Sequence, residues 1–195
     1  MTTALVVSEC QQGVLDPALA FLPGLAEQAA ETGIVSRIAV LAAAFREAGL
    51  PVVHCHIAHR PDLAGMRANS LLGALALKHR SMIAGTPAVE TPPELRPAPE
   101  DHVSSRSLGL TPFYGTDLDA VLRLRGVETV VLTGVSTDVA VPGLAMEAVN
   151  RGYAVQVAAD CVAGSSAENQ AFALANQLRV LARITDSARV LAALS

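Results

Sequence analysis

The 195-residue chain has few aromatic and few charged residues. Aromatic side chains make up 3% of it, tryptophan is absent, charged residues make up 16%, and Lys78 is the only lysine. The basic residues are scattered singly, so the chain lacks the positive stripe with interleaved aromatics that nucleic acid requires, and we predict no nucleic-acid partner. Hydrophobic residues make up 51%, which is too apolar for disorder and sufficient for a large core.

Long apolar runs and paired cysteines are also missing. No window approaches the ~18 uninterrupted apolar residues that span a bilayer, and the opening residues show no basic segment of the kind that begins a signal peptide. The three cysteines, Cys10, Cys55 and Cys161, are an odd number without Cys-x-x-Cys spacing. This pattern argues against a disulfide framework or a zinc knuckle and favours a reducing compartment. We therefore expect a soluble cytoplasmic protein that has no membrane partner.

What the sequence does contain is an alternation of short β-branched runs and longer helical patterns. We predict strands at 4–8, 51–57, 102–105, 128–134, 153–158 and 181–185, and helices at 31–49, within 62–82, at 116–125, 139–151 and 167–178, and up to 194. Five prolines between 85 and 101 predict an extended surface loop there. Strand–helix repeats of this length imply right-handed crossovers. We expect a single α/β domain over 1–195, a three-layer α/β/α fold around a mostly parallel sheet of about six strands.

The carboxyl ends of these strands are where a ligand is expected, because open parallel sheets bind ligands there. Three motifs fall in these segments: Glu-Cys-Gln at 9–11, Thr-Pro-Phe-Tyr-Gly-Thr-Asp-Leu at 111–118, and Gly-Val-Ser-Thr-Asp-Val-Ala-Val at 134–141. In order and spacing they resemble the isochorismatase-like (cysteine hydrolase) superfamily, which includes nicotinamidases, carbamoylsarcosine-type amidohydrolases and isochorismatases. The corresponding family patterns are Asp-Met-Gln, Ser-Ala-Phe-x-Gly-Thr-x-Leu and Gly-Val-x-Thr-Asn/Asp-x-Cys-Val. The resemblance covers nearly the whole chain and implies the same fold.

The resemblance also implies a departure from the family's usual chemistry. Its amidohydrolases use a cysteine nucleophile with an acid and a lysine nearby. The cysteine position here is Ala140, whose methyl group cannot attack a carbonyl, and the acid is Glu9. The lysine position falls at or next to Ser107, where Arg106 is the nearest basic residue and, being permanently protonated, a poor proton shuttle. We therefore assign the catalytic positions to Glu9, Arg106 and the backbone N–H of Ala140, and exclude covalent cysteine catalysis at the usual position.

The same resemblance suggests which residues contact the ligand. An oxyanion hole made of backbone N–H groups is expected at the start of the helix after residue 134, and the Val135–Ser136 peptide bond is expected to be cis. The predicted binding residues are Gln11, His54, His56, Phe113, Tyr114, Val135, Ser136 and Val139. Two readings stay open: Glu9 is either a general acid or base or only the ion-pair partner of Arg106, and Phe113 either walls the pocket or fills the core.

Three histidines near the end of the second predicted strand raise the question of a metal. His54 and His56 share one face of that strand, His59 follows, and imidazole suits Zn²⁺. Some nicotinamidases bind a metal in this region through an Asp-x-His pattern, but here His54 occupies the Asp position and only Asp62 could supply a carboxylate. We therefore predict no metal and no cofactor.

Three functions remain as hypotheses. The first is a hydrolase that acts on a small amide or anionic substrate without the usual cysteine. The second is a vinyl-ether hydrolase of isochorismatase type with Glu9 as general acid, because an acid in a dry pocket has a raised pKa. The third is a non-catalytic descendant that binds a small molecule or a partner protein. The alanine-rich helices also suggest a homodimer or higher homo-oligomer.

Overall fold

The sheet contains the strands β1 (Thr2–Ser8), β2 (Val52–Ile57), β3 (His102–Arg106), β4 (Val127–Val135), β5 (Ala154–Ala163) and β6 (Arg183–Thr185). This architecture comes from a computed structural model, which describes residues 2–194. Within those residues the six strands have the order β3-β2-β1-β4-β5-β6, and every neighbouring pair is parallel. The expected parallel sheet of about six strands is confirmed.

Helices cover both faces of this sheet and complete the three layers. They are α1 (Gln12–Leu15), α2 (Pro23–Thr32), α3 (Ile34–Glu47), α4 (Leu71–His79), α5 (Leu118–Leu124), α6 (Ala140–Asn150), α7 (Ala167–Phe172) and α8 (Ser187–Ala192). One core cluster lies beneath α5 and α6 and includes Leu118 and Leu144. The other lies beneath α2, α3 and α8 and includes Leu25, Phe45 and Val190. Successive residues of β1 alternate between the two clusters, as the period of a strand requires. None of the helices within residues 2–194 is long and apolar enough to cross a membrane.

Three parts of the predicted secondary structure need correction. The predicted helices begin only at residue 31, but Pro23 already begins α2, where its fixed φ and missing N–H are tolerated. Gly33, with φ of 64°, then separates α2 from α3. The proline-rich segment is not fully irregular, because Pro87–Val89 and Pro93–Leu95 form short 3₁₀ turns. Strand β5 also runs five residues beyond its predicted end at 158.

The strand order reverses between β1 and β4, and this reversal positions the candidate site. On one side of the point the chain moves outward through β2 to β3, and on the other through β5 to β6. Loops leaving the carboxyl ends of β1 and β4 therefore diverge and open a crevice at the edge of the sheet. Glu9 lies in the first of these loops and Ser136 in the second.

Gly134 allows β1 and β4 to approach closely just before this crevice. Its φ is +94°, and a Cβ built on it would lie 2.2 Å from the carbonyl oxygen of Ser8, its partner in the β1–β4 register. No side chain fits there without moving one of the two strands.

We expect Gly134→Ala to destabilise the protein strongly. Gly152 is a matched control, because its φ is +88° but nothing lies within 4 Å of a Cβ built there. Gly152→Ala should lower the free energy of unfolding by about 1 kcal/mol, the cost of a left-handed alanine. Gly134→Ala should lower it by at least about 3 kcal/mol, because β1 and β4 must also shift. Equal urea midpoints for the two variants would contradict the role of this close approach.

Candidate active site

A cavity of about 720 Å³ opens at the carboxyl ends of the strands. Its lining comes from the segments after β1, β2, β3 and β4 and from α4. The lining residues of the site are Glu9, Gly13, Val14, Ala20, Phe21, Leu22, Leu25, Ile57, His59, Gly65, Met66, Arg67, Asn69, Ser70, Leu72, Gly73, Ala76, Ser81, Met82, Arg106, Leu108, Gly109, Leu110, Thr111, Tyr114, Ser136, Val139 and Ala140. Among the predicted site residues, the structure thus brings together Glu9, Arg106, Tyr114, Ser136, Val139 and Ala140.

Glu9 and Arg106 form an ion pair in this cavity. Arg106 Nη2 lies 2.7 Å from Glu9 Oε1, and the two side chains are only 3% and 14% exposed. Arg106 is the last residue of β3, whereas Ser107 turns its carbonyl toward His59 Nδ1 at 2.7 Å. Of the two positions considered for the basic group, it is therefore Arg106 that contacts the acid. Glu9 itself has φ of 51°, a left-handed conformation that non-glycine residues rarely adopt and that often marks a functional site.

The polar atoms of this pair are incompletely satisfied by the protein. Glu9 Oε1 is engaged by Arg106 Nη2 through the 2.7 Å ion pair. Arg106 Nη1, by contrast, has no acceptor within the described chain. Burial raises the pKa of Glu9, and the neighbouring Arg106 guanidinium offsets part of that rise. Buried polar atoms are normally paired, so Arg106 Nη1 is available to a ligand.

The amino terminus of α6 contributes a further donor to the cavity. Val139 and Ala140 both line it. The Val139 N–H donates to the Ser136 carbonyl over a long 3.4 Å, while the Ala140 N–H, at the first helical residue, has no acceptor among the described residues. A free N–H at a helix amino terminus favours an anionic or carbonyl oxygen. The expected oxyanion hole therefore depends mainly on the Ala140 N–H, because the Val139 N–H already donates to the Ser136 carbonyl.

The segment before α6 is held from both sides. Ser8 Oγ donates to the Val135 carbonyl at 3.0 Å, and the carboxylate of Asp138 accepts from the Ser165 N–H and hydroxyl, both at 2.8 Å. The Val135–Ser136 peptide bond is cis, which confirms the expectation drawn from the resemblance. These contacts fix the position of the Ala140 N–H.

All three cysteines lie outside the cavity lining. Cys10, Cys55 and Cys161 are at most 2% exposed and belong to the two core clusters. Burial raises the pKa of each thiol, that of Cys161 to about 12. A buried thiol with a raised pKa is a poor nucleophile.

Three predicted binding residues turn out to be structural. The Gln11 side-chain amide donates to the carbonyls of Ile57 at 3.0 Å and Val89 at 2.8 Å and accepts from the Ile57 N–H at 2.8 Å, so it joins loops and is occupied. Phe113 is buried against the Tyr153 ring, with centroids 6.4 Å apart, and therefore fills the core. Val135 is also fully buried.

The expectation that His54 and His56 face the ligand needs the same correction. On β2 the side chain of Ile57 reaches the cavity, so residues 54 and 56, three positions and one position earlier, point to the opposite face. His54 is buried against Asp101 at 3.0 Å, and His56 lines a separate small hollow beside Arg96. Burial lowers the pKa of both, that of His56 to about 4. Among residues 2–194 no group of three or more His, Cys, Asp or Glu side chains is arranged to hold a metal ion.

Much of the cavity wall could not be assigned from the sequence. It includes Phe21, Met66, Leu72, Ala76 and Leu108, which lie on loops and on the short helix α4. The sequence signal for this wall is the spacing of Leu72 and Ala76, since residues four apart share one face of a helix. In the structure both residues line the cavity. Nothing in the sequence says that this face meets a cavity.

Known proteins share both the sequence pattern and the fold of this chain. The family model described as Isochorismatase domain matches residues 3–189. An uncharacterised isochorismatase family protein of Escherichia coli, YecD, is 32% identical over 99% of this chain and 96% of its own length. An isochorismatase family protein from Desulfovibrio vulgaris superposes with a TM-score of 0.85 at 26% identity, covering 99% of this chain and 98% of its own. N-carbamoylsarcosine amidase from Thermoplasma acidophilum superposes with a TM-score of 0.73 at 30% identity, covering 96% of this chain and 97% of its own.

Proposed function

Since this chain belongs to the isochorismatase family, we propose that it is a hydrolase of a small amide or anionic substrate that works without a cysteine nucleophile. The observation that carries the proposal is a cavity that holds a carboxylate, a guanidinium and a free helix N–H, but no thiol among its described lining residues. The relationship to N-carbamoylsarcosine amidase supports an amide as the bond to be cleaved.

In the proposed reaction Glu9 acts on water. The water oxygen attacks the amide carbonyl carbon while the Glu9 carboxylate takes its proton. The carbonyl oxygen becomes an oxyanion, which accepts hydrogen bonds from the Ala140 N–H and the free Nη1 of Arg106. The tetrahedral carbon then expels the nitrogen, to which Glu9 returns the proton. The products are a carboxylic acid and ammonia or an amine, and no acyl-enzyme forms.

A second candidate is vinyl-ether hydrolysis, which the raised pKa of Glu9 favours. A protonated Glu9 would donate its proton to the terminal carbon of the enol ether, and water would add to the resulting cation. The hemiketal then collapses to a ketone and an alcohol. Glu9 begins protonated in this reaction and deprotonated in amide hydrolysis, so the two differ in their pH dependence.

The test of the proposed function is a screen combined with thiol labelling. The protein is incubated with primary amides, N-carbamoyl compounds and enol ethers, and release of ammonia or ketone is measured. We expect turnover, no covalent adduct on rapid-quench mass spectrometry, and no loss of activity with iodoacetamide, because the three thiols are buried and protonated.

Two results would contradict the proposal. An acyl adduct on a cysteine, or a loss of activity in proportion to the labelling of Cys10 or Cys161 that a substrate analogue does not explain by competition, would mean thiol catalysis. Binding without turnover of any compound would favour the third hypothesis, a non-catalytic binding protein.

A further inference from the structure

Most of the cavity wall is apolar. Its apolar residues include Phe21, Leu25, Met66, Leu72, Met82 and Leu108. They come from the loop before α2, from α2, from the segments on either side of α4, from α4 and from the loop after β3. A volume of about 720 Å³ lies in the range of pockets that bury a drug-sized ligand. A substrate as small and polar as N-carbamoylsarcosine would leave most of this apolar wall in contact with water.

The charges of the cavity are few and of mainly one sign. Glu9 is the only acidic residue among its described lining residues, and it is paired with Arg106. Arg67, exposed at the lining, has no ion-pair partner among residues 2–194. Burial lowers the pKa of His59, and the remaining ionisable lining residues are two arginines, Arg67 and Arg106, and one acid, Glu9. The unpaired donors, Arg106 Nη1 and the Ala140 N–H, both suit an acyl oxygen.

From these two observations we infer that the ligand is an amphiphile with a carboxylate or carboxamide head held by the free donors of Arg106 and Ala140 and an apolar aliphatic or aromatic body on the order of ten carbon atoms against the wall. This inference rests on the proposed function for the identity of the bond cleaved. The binding of the head and body stands on the cavity alone. Specificity would then come from the apolar wall, which selects by length and shape.

The first experiment is a calorimetric series of saturated carboxylates from acetate to dodecanoate, each kept below its micelle concentration. Affinity is expected to rise about threefold to fourfold per added methylene until the cavity is filled, and then to level off. Decanol should bind at least about tenfold more weakly than decanoate, because it cannot use the two donors fully. Equal affinities for butyrate and decanoate, or no binding of either, would overturn the inference.

A pair of variants on α4 locates the apolar body. Ala76 lines the cavity and is 7% exposed, whereas Leu71, five residues earlier on the same helix, is 78% exposed. Ala76→Phe should shorten the cavity and weaken decanoate binding at least about tenfold while leaving butyrate nearly unchanged. Leu71→Phe should change neither. An Ala76→Phe variant that folds, by circular dichroism, and binds decanoate as the native protein does would contradict this placement, and if it does not fold the carboxylate series decides alone.

Measuring amide hydrolysis beside carboxylate binding distinguishes a failure of the ligand class from a failure of the proposed function. Octanamide and phenylalkyl amides should be hydrolysed with a higher kcat/KM than acetamide. Length-dependent carboxylate binding without hydrolysis of any amide or enol ether would support the ligand class and contradict the hydrolase. Hydrolysis of short polar amides without length-dependent carboxylate binding would support the hydrolase and contradict the ligand class.

Discussion

Glu9→Gln is expected to lower kcat/KM by about 10²- to 10⁴-fold, the usual contribution of a general acid or base. Glutamine keeps the size of the side chain but can neither take a proton from water nor donate one to an enol ether. Glu128→Gln is the matched control, because Glu128 is exposed at the opposite end of the sheet, near the start of β4. A Glu9→Gln variant that retains activity within about threefold of the native protein would assign Glu9 a purely structural role beside Arg106.

The pH profile of the native protein then distinguishes the two proposed reactions. The pKa of Glu9 is raised, because burial outweighs the effect of Arg106. If Glu9 is the base for water, activity should rise as pH increases through this raised pKa, since the carboxylate is the active form. If Glu9 is the acid for an enol ether, activity should fall over the same range. The inflection should disappear in Glu9→Gln together with the activity, and a profile independent of pH would argue against both reactions.

The fold could be predicted from the sequence because its signals are local. β-branched runs such as the one ending at Ser8 bury both faces of a parallel strand, and the spacing of Ile34, Ile38, Leu41 and Phe45 gives α3 one apolar face. Helix α2 is not predicted because a proline such as Pro23 usually ends a helix, although proline also favours the first turn of one. Local patterns allow both interpretations of that proline.

The candidate site could be predicted only in part, because it depends on contacts between distant segments. Glu9 and Arg106 were found through motifs, and their residues meet across β2. The direction of His54 could not be predicted, because the same pattern at the end of β2 fits either face of the sheet. Its acidic partner, Asp101, is 47 residues away in the sequence and lies in the predicted loop. No periodicity connects residues so far apart.

Asp101 is the centre of a buried polar cluster whose role is structural. Its carboxylate accepts from Arg46 Nε at 3.0 Å and Nη2 at 2.6 Å, from the Ala98 N–H at 2.9 Å and from His54 Nε2 at 3.0 Å. The Asp101 side chain is 1% exposed. The cluster thereby joins α3, β2 and the segment that leads into β3. Burial alone would raise the pKa of Asp101, but these hydrogen bonds outweigh it and the pKa is lowered.

Asp101→Asn is expected to lower the free energy of unfolding by about 3–5 kcal/mol, because it leaves the Arg46 guanidinium without its buried counter-ion. Asp62→Asn is the matched control: Asp62 also forms a two-point contact with an arginine, Arg60, but the pair is more than half exposed. That variant should show no measurable shift of the urea midpoint at physiological salt, since water already solvates both charges. Similar midpoint shifts for the two variants would mean that burial does not determine the strength of these pairs.

The pH dependence of the unfolding free energies of the native protein and Asp101→Asn tests whether the charge of Asp101 causes the difference between them. A carboxyl whose pKa is lowered by folding stabilises the native state above its unfolded pKa of about 3.9, and the effect is lost as pH falls through the lower folded pKa. The gap in unfolding free energy between the native protein and Asp101→Asn should therefore be constant near neutral pH and narrow below about pH 4. A gap that stays constant down to pH 2, measured by urea titration at each pH, would mean that shape rather than charge makes Asp101 necessary. The charge explanation predicts narrowing because a protonated Asp101, like asparagine, leaves Arg46 unpaired.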